Sequence, residues 1–217
     1  NNISIKDVDL NNVKDELKII GNKCFYDTNI ETLTVQDGIE CIGDNAFAYC
    51  SQLKKITIAD SVETLGISAF NECSSLKEIT MPASTSYVSK ADYEVRPTFY
   101  NVGTEKIVFT KGSGKVFVPE NNSGSVTEES ALTLKEVEFE EGIDEIYAGE
   151  LKYCQYVTSI KLPGTIKKIG DEAFYNCINW EWELDLPDDL ESMGNSAFWN
   201  CGKITGKLEF PEKLGAI

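Results

Sequence analysis

The sequence predicts a strand-rich α/β solenoid in which each coil of about 23 residues contributes one parallel β-strand and a short helical turn. Two observations carry this prediction. An apolar pattern recurs at a fixed spacing along most of the 217 residues. Within each copy, apolar residues alternate as a half-buried strand requires, then cluster at the spacing of a tight turn. A unit this short cannot bury its own apolar face, so successive units must stack.

The two clearest copies are Ile42-Gly43, Ala46-Phe47, Cys50, Leu53, Ile56 and Ile58, followed 23 residues on by Leu65-Gly66, Ala69-Phe70, Cys73, Leu76, Ile79 and Met81. The pattern returns as Ile169-Gly170, Ala173-Phe174, Cys177, Trp180, Leu184 and Leu186, and 24 residues later as Met193-Gly194, Ala197-Phe198, Cys201, Ile204, Leu208 and Phe210. Weaker copies begin at Ile20-Gly21 and at Ile146. In Leu53-x-x-Ile56-Thr57-Ile58 the isoleucines face inward and Thr57 outward, which defines the strand. Glycine after the first apolar residue suits a tight corner, and Ala-Phe-x-x-Cys is spaced for a short helical turn. Pro82, Pro163, Pro187 and Pro211 each follow a strand, where a missing N–H ends the ladder.

This pattern closely resembles the BspA-like leucine-rich repeats, whose consensus runs Leu-x-x-Ile-x-Ile-Pro-x-x-Val-x-x-Ile-Gly-x-x-Ala-Phe-x-x-Cys. The resemblance covers residues 17–82 and 132–217 well and 83–131 poorly. It implies a right-handed superhelix and a non-catalytic module of an extracellular or cell-surface protein. Adhesion to a host, matrix or other surface protein through the sheet face is the function it suggests, with glycan as a second ligand class. A structural spacer or assembly array with no ligand of its own is the alternative. The resemblance transfers no ligand-binding residue.

Residues 1–217 read as a single leucine-rich-repeat solenoid domain. Residues 83–131 form irregular repeats with an insertion, because Phe70 and Leu151 are separated by more than three regular units. Within it, Lys106–Phe109 and Lys115–Val118 flank a Gly-Ser-Gly turn and read as a projecting hairpin or as two successive solenoid strands, the hairpin being preferred. Asn121–Ser125 reads as an exposed loop. The chain opens without an initiator Met or a leader, and Ile217 falls where Met193 sits one unit earlier, so it reads as part of a longer protein.

Charge and composition narrow the function. With 20 Lys and Arg against 36 Asp and Glu, the net charge is −16, which repels nucleic acid and anionic membrane. There is no apolar run of membrane-spanning length. The absence of His removes His-based triads and His-ligated zinc, and Gly112-Ser113-Gly114-Lys115 lacks the remaining positions of a phosphate loop. The carboxylates at Glu138, Glu140 and Glu141 and at Asp185, Asp188 and Asp189 lack calcium-loop spacing. No metal, cofactor or catalytic residue is expected.

Seven cysteines suggest disulfides, but Cys50, Cys73, Cys154, Cys177 and Cys201 share one repeat position. They read as an inward ladder of free thiols beside Phe47, Phe70, Phe174 and Phe198. Cys24 takes the place of Ala in other units and supports the same reading, whereas Cys41 lies off the register and is expected nearer the surface. Outward strand positions run Thr34, Thr57, Thr80, Val108, Glu138, Lys161, Asp185 and Glu209, flanked by Glu136, Glu183 and Lys207. The mixed-charge C-terminal half is the expected ligand face. Trp182 is expected to turn inward over Gly206, and Trp199 to reach the surface.

Overall fold

A computed structural model describes residues 6–9, 17–87, 98–111, 132–181, 183–205 and 209–215. Every strand pairing is parallel, and the strands fall on two walls of the coil. The longer strands build a seven-stranded sheet ordered β1 (Asp7–Asp9), β3 (Thr32–Val35), β5 (Lys55–Ile58), β7 (Glu78–Pro82), β9 (Lys106–Thr110), β10 (Glu136–Phe139) and β12 (Ser159–Lys161). Two-residue strands at the next corner form a second wall in two pieces. One piece contains β2 (Ile19–Ile20), β4 (Cys41–Ile42), β6 (Thr64–Leu65) and β8 (Ser86–Tyr87). The other contains β11 (Glu145–Ile146), β13 (Lys168–Ile169) and β14 (Ser192–Met193). Among the described residues, most coils therefore carry two strands, the second too short to leave a period-2 signature of its own.

Register follows the repeat. Thr34 pairs with Thr57, Thr57 with Thr80, Thr80 with Val108, Val108 with Glu138 and Glu138 with Lys161. Lys106–Thr110 is a solenoid strand, parallel to neighbours on both sides. Residues 115–118 and the loop at 121–125 lie outside the described residues, as do Trp182, Gly206, Lys207 and Leu208.

The Ala-Phe-x-x-Cys segment is a chain of turns, with no helix among the described residues. Two residues per coil sit in the left-handed region: Asn45 and Tyr49 in one coil, Ser68 and Glu72 in the next, Glu172 and Asn176 further on. This alternation redirects every second N–H along the solenoid axis. Asn45, Phe47 and Tyr49 donate to Ile67, Ala69 and Asn71 of the following coil at 2.8 Å, while Ala46, Ala48 and Cys50 bond three residues back at 3.2–3.3 Å. The turn thus makes a third inter-coil ladder, which a helical turn would forgo by pointing its N–H groups back along its own axis.

The corner glycines are set by coil spacing. A Cβ at Gly66 would lie 2.5 Å from the Asp44 N and one at Gly170 would lie 2.4 Å from the Ala148 N, both backbone atoms of the preceding coil. Inside, Phe25, Phe47, Phe70 and Phe99 stack in one column at centroid distances of 5.1, 5.4 and 5.4 Å. Phe174 and Phe198 resume it at 5.0 Å, with the fully buried Trp180 tilted against Phe174.

Candidate functional site

All seven cysteines are free. Cys50, Cys73, Cys154, Cys177 and Cys201 are buried, with Phe47, Phe70 and Phe174 fully buried beside them and Phe198 partly covered. The thiols have a polar task that the sequence reading missed. Cys50, Cys73, Cys177 and Cys201 donate S–H to the carbonyls of Phe25, Phe47, Leu151 and Phe174 in the preceding coil, at 3.0–3.2 Å. Burial raises the Cys50 and Cys73 thiols above their ordinary range and pushes Cys154 up to about 12, so these sulfurs stay protonated and unreactive. Cys177 is raised by its hydrogen bond with Cys201 and by burial. Cys24 differs from the inward reading: it is exposed, because no coil among the described residues covers the outer side of the first turn. Cys41 is half-buried.

On the outer face of the seven-stranded sheet, Thr34 and Lys161 are exposed and Thr57, Thr80, Val108 and Glu138 half-buried; Asp185 and Glu209, expected at outward strand positions, are exposed but lie outside every strand, the sheet ending at β12. Glu136 and Glu183 beside them are exposed. The mixed charges pair with each other across coils. Lys161 reaches Glu138 at 2.5 Å, Lys106 reaches Glu136 at 3.2 Å and Lys55 reaches Glu78 at 2.9 Å. An outer row repeats this: Glu31 binds Lys6 and Lys54, and Glu105 binds Lys77 and Lys135, holding both carboxyls below their ordinary range. Glu183 and Asp185 have no ion-pair partner among the described residues. The coil C-terminal to the sheet therefore presents uncompensated carboxylates, with Glu183 in an isolated parallel bridge to Thr205.

One coil departs from the corner code. Tyr147 and Glu150 stand where Gly170 and Ala173 stand one unit later. Both are buried, and burial lifts the Glu150 carboxyl to about 7. The Tyr147 hydroxyl has no hydrogen-bond partner among the described residues. Between them and Phe109, Phe139 and Ile143 lies a cavity of about 20 Å³, enough for one water-sized group. No cluster of three metal-ligating side chains occurs among the described residues.

Stacked parallel coils with short strands, inter-coil turns and a Phe–Cys interior define a leucine-rich-repeat solenoid. The chain belongs to the BspA type Leucine rich repeat region family, whose model matches residues 1–101 and 129–217 in six copies. A comparison with curated proteins finds no match. Among solved structures, a leucine-rich repeat protein from Bacteroides ovatus is 26% identical, with a TM-score of 0.49 over 93% of this chain and 60% of that one. A leucine-rich cell surface protein from Faecalibacterium prausnitzii is 22% identical, with a TM-score of 0.44 over 87% of this chain and 41% of that one. A leucine-rich repeat protein of T. pallidum is 21% identical, with a TM-score of 0.45 over 75% of this chain and 71% of that one. The chain spans less than two thirds of the first two. No helix among the described residues is long and apolar enough to cross a membrane.

Proposed function

We propose that this chain is a non-catalytic macromolecule-binding module of a secreted or cell-surface protein, engaging a host, matrix or other surface protein through the outer face of its seven-stranded sheet. The observation carrying this reading is the change from ion pairs satisfied within the chain on that face to the exposed, uncompensated carboxylates of Glu183 and Asp185 in the coil that follows its last strand. Exposed carboxylates of one sign steer and orient a partner of opposite charge. Lys161, Glu138 and Glu136, which pair with neighbours, supply complementarity at the rim.

The test is binding of the purified chain to arrayed matrix, serum and mucin ligands at physiological and raised salt. Saturable binding that is lost in Glu183→Lys/Asp185→Lys, with the melting curve unchanged, supports recognition at this end of the sheet. Equal binding by the reversed variant removes the sheet face from the reading. A second reading, a spacer array without a ligand, draws on the lysine–carboxylate pairs that tie coil to coil. It predicts no saturable binding to any ligand on the array.

A further inference from the structure

On the turn face, each described coil places a left-handed residue two positions after its inward Phe or Leu. Asp27, Glu72, Asn101, Asn176 and Asn200 hold it in most coils, whereas Tyr49 (φ 63°) and Tyr153 (φ 65°) hold it in two. A bulky side chain in this region carries strain. Neither ring offsets it by burial, since Tyr49 is 41% exposed and Tyr153 48%. Each instead meets a second tyrosine on an adjacent coil: Tyr26 lies 5.4 Å from Tyr49, and Tyr175 lies 5.7 Å from Tyr153, edge to face. The C-terminal pair continues into Trp199, stacked on Tyr175 at 4.6 Å and exposed.

A cation already lies on this strip. The Lys152 ammonium sits 5.3 Å from the Tyr153 centroid and 4.9 Å from that of Tyr175, with a Glu172 oxygen at 2.5 Å. The N-terminal pair repeats the arrangement, with Lys23 over Tyr26 at 5.9 Å. Ring faces attract cations, Trp most strongly. The chain's excess of 36 acidic over 20 basic side chains favours a basic partner and repels an acidic one.

We propose that the turn face is a second recognition surface, on which the Tyr153–Tyr175–Trp199 strip takes the guanidinium or ammonium groups of a basic polypeptide segment. It shares no residue with the sheet face, so either surface can fail without the other. Lys152 occupies the inner notch and marks its chemistry; Trp199 and the outer side of Tyr175 are where the partner's cations stack.

The probe is a fluorescein-labelled oligoarginine peptide, titrated by anisotropy at physiological salt. Tyr175→Ala/Trp199→Ala removes the rings without changing the charge, and binding is expected to weaken roughly 5-fold or more. Trp199→Ala alone, at a more exposed ring, keeps the test valid if the double variant melts early. Thr57→Ala/Val108→Ala on the sheet face leaves binding unchanged. Lys152→Met tightens binding more than Lys168→Met, which makes the same charge change at the Lys168–Glu145 pair. The proposal is overturned by undiminished affinity in the ring variants, by equal effects of the two lysine variants, or by a neutral oligosaccharide displacing the peptide from the strip.

Discussion

Glu150→Gln isolates the charge of a buried carboxyl while keeping its shape. Glu150 is 8% exposed and occupies the position of Ala46, Ala69, Ala173 and Ala197 in other coils. Burial raises its pKa from 4.5 to about 7 in the folded chain. The folded state therefore favours the protonated form. The stability this group contributes is fully present below about pH 4.5 and is lost as pH rises through about 7. At about 1.4 kcal/mol per pH unit, the loss reaches roughly 3 kcal/mol above pH 7. Urea unfolding of the wild type and Glu150→Gln at pH 5 and pH 8 measures it. All other ionisable groups are common to the two proteins, so their contributions cancel in the difference. Glu150→Gln is expected near wild-type stability at the lower pH and more stable by a few kcal/mol at the higher. Parallel pH profiles would refute the reasoning, since they would mean that Glu150 ionises as freely folded as unfolded.

Three further outcomes follow from the packing. Phe70→Ala, cut from the middle of the ring column, should cost about 3–5 kcal/mol in urea unfolding, and a Phe47→Ala/Phe70→Ala pair should deviate from additivity because the rings touch. Gly66→Ala should destabilise by about 1–3 kcal/mol because its Cβ meets backbone at 2.5 Å, whereas Gly21→Ala, with nothing within 4 Å, should stay within about 0.5 kcal/mol. In native protein a thiol reagent should label Cys24 rapidly and Cys41 more slowly, with Cys73, Cys154 and Cys177 reacting only after unfolding; early labelling of the buried three would contradict the thiol ladder.

What the sequence made legible is what every coil must repeat. Leu53, Ile56 and Ile58 recur because each strand buries the same face, and Phe and Cys recur because each coil fills the same interior column. The turn was harder to read, since apolar residues at positions i, i+1 and i+4 fit a helical turn as well as an alternation of right- and left-handed residues. A signal was nevertheless present: Asp27, Asn101, Asn176 and Asn200 recur at one repeat position, and Asn and Asp tolerate the left-handed region. The two-residue strands at the second corner are too short for any periodicity to register. The charges on the sheet face were legible as residues but not as pairs, because pairing depends on which coil lies beside which. Only the register brings Lys161 against Glu138 and Lys106 against Glu136.

That pairing bears on what the surface can recognise. The ion pairs among the described residues join neighbouring coils: Lys18 with Glu40, Lys168 with Glu145, Lys203 with Glu181, Lys213 with Asp189, besides those on the sheet face. Each is exposed and adds little stability alone. Their collective effect is on availability. A lysine held by the carboxylate of the next coil must leave that partner to meet another molecule, so exchanging one pair for another gains little. The surplus acids face no such competition, and Glu183 and Asp185 are among them. Association at either proposed surface should thus be governed by the partner's cations, weaken steeply with salt, and respond more to removal of Glu183 and Asp185, or of the Tyr175–Trp199 rings, than to removal of any paired lysine.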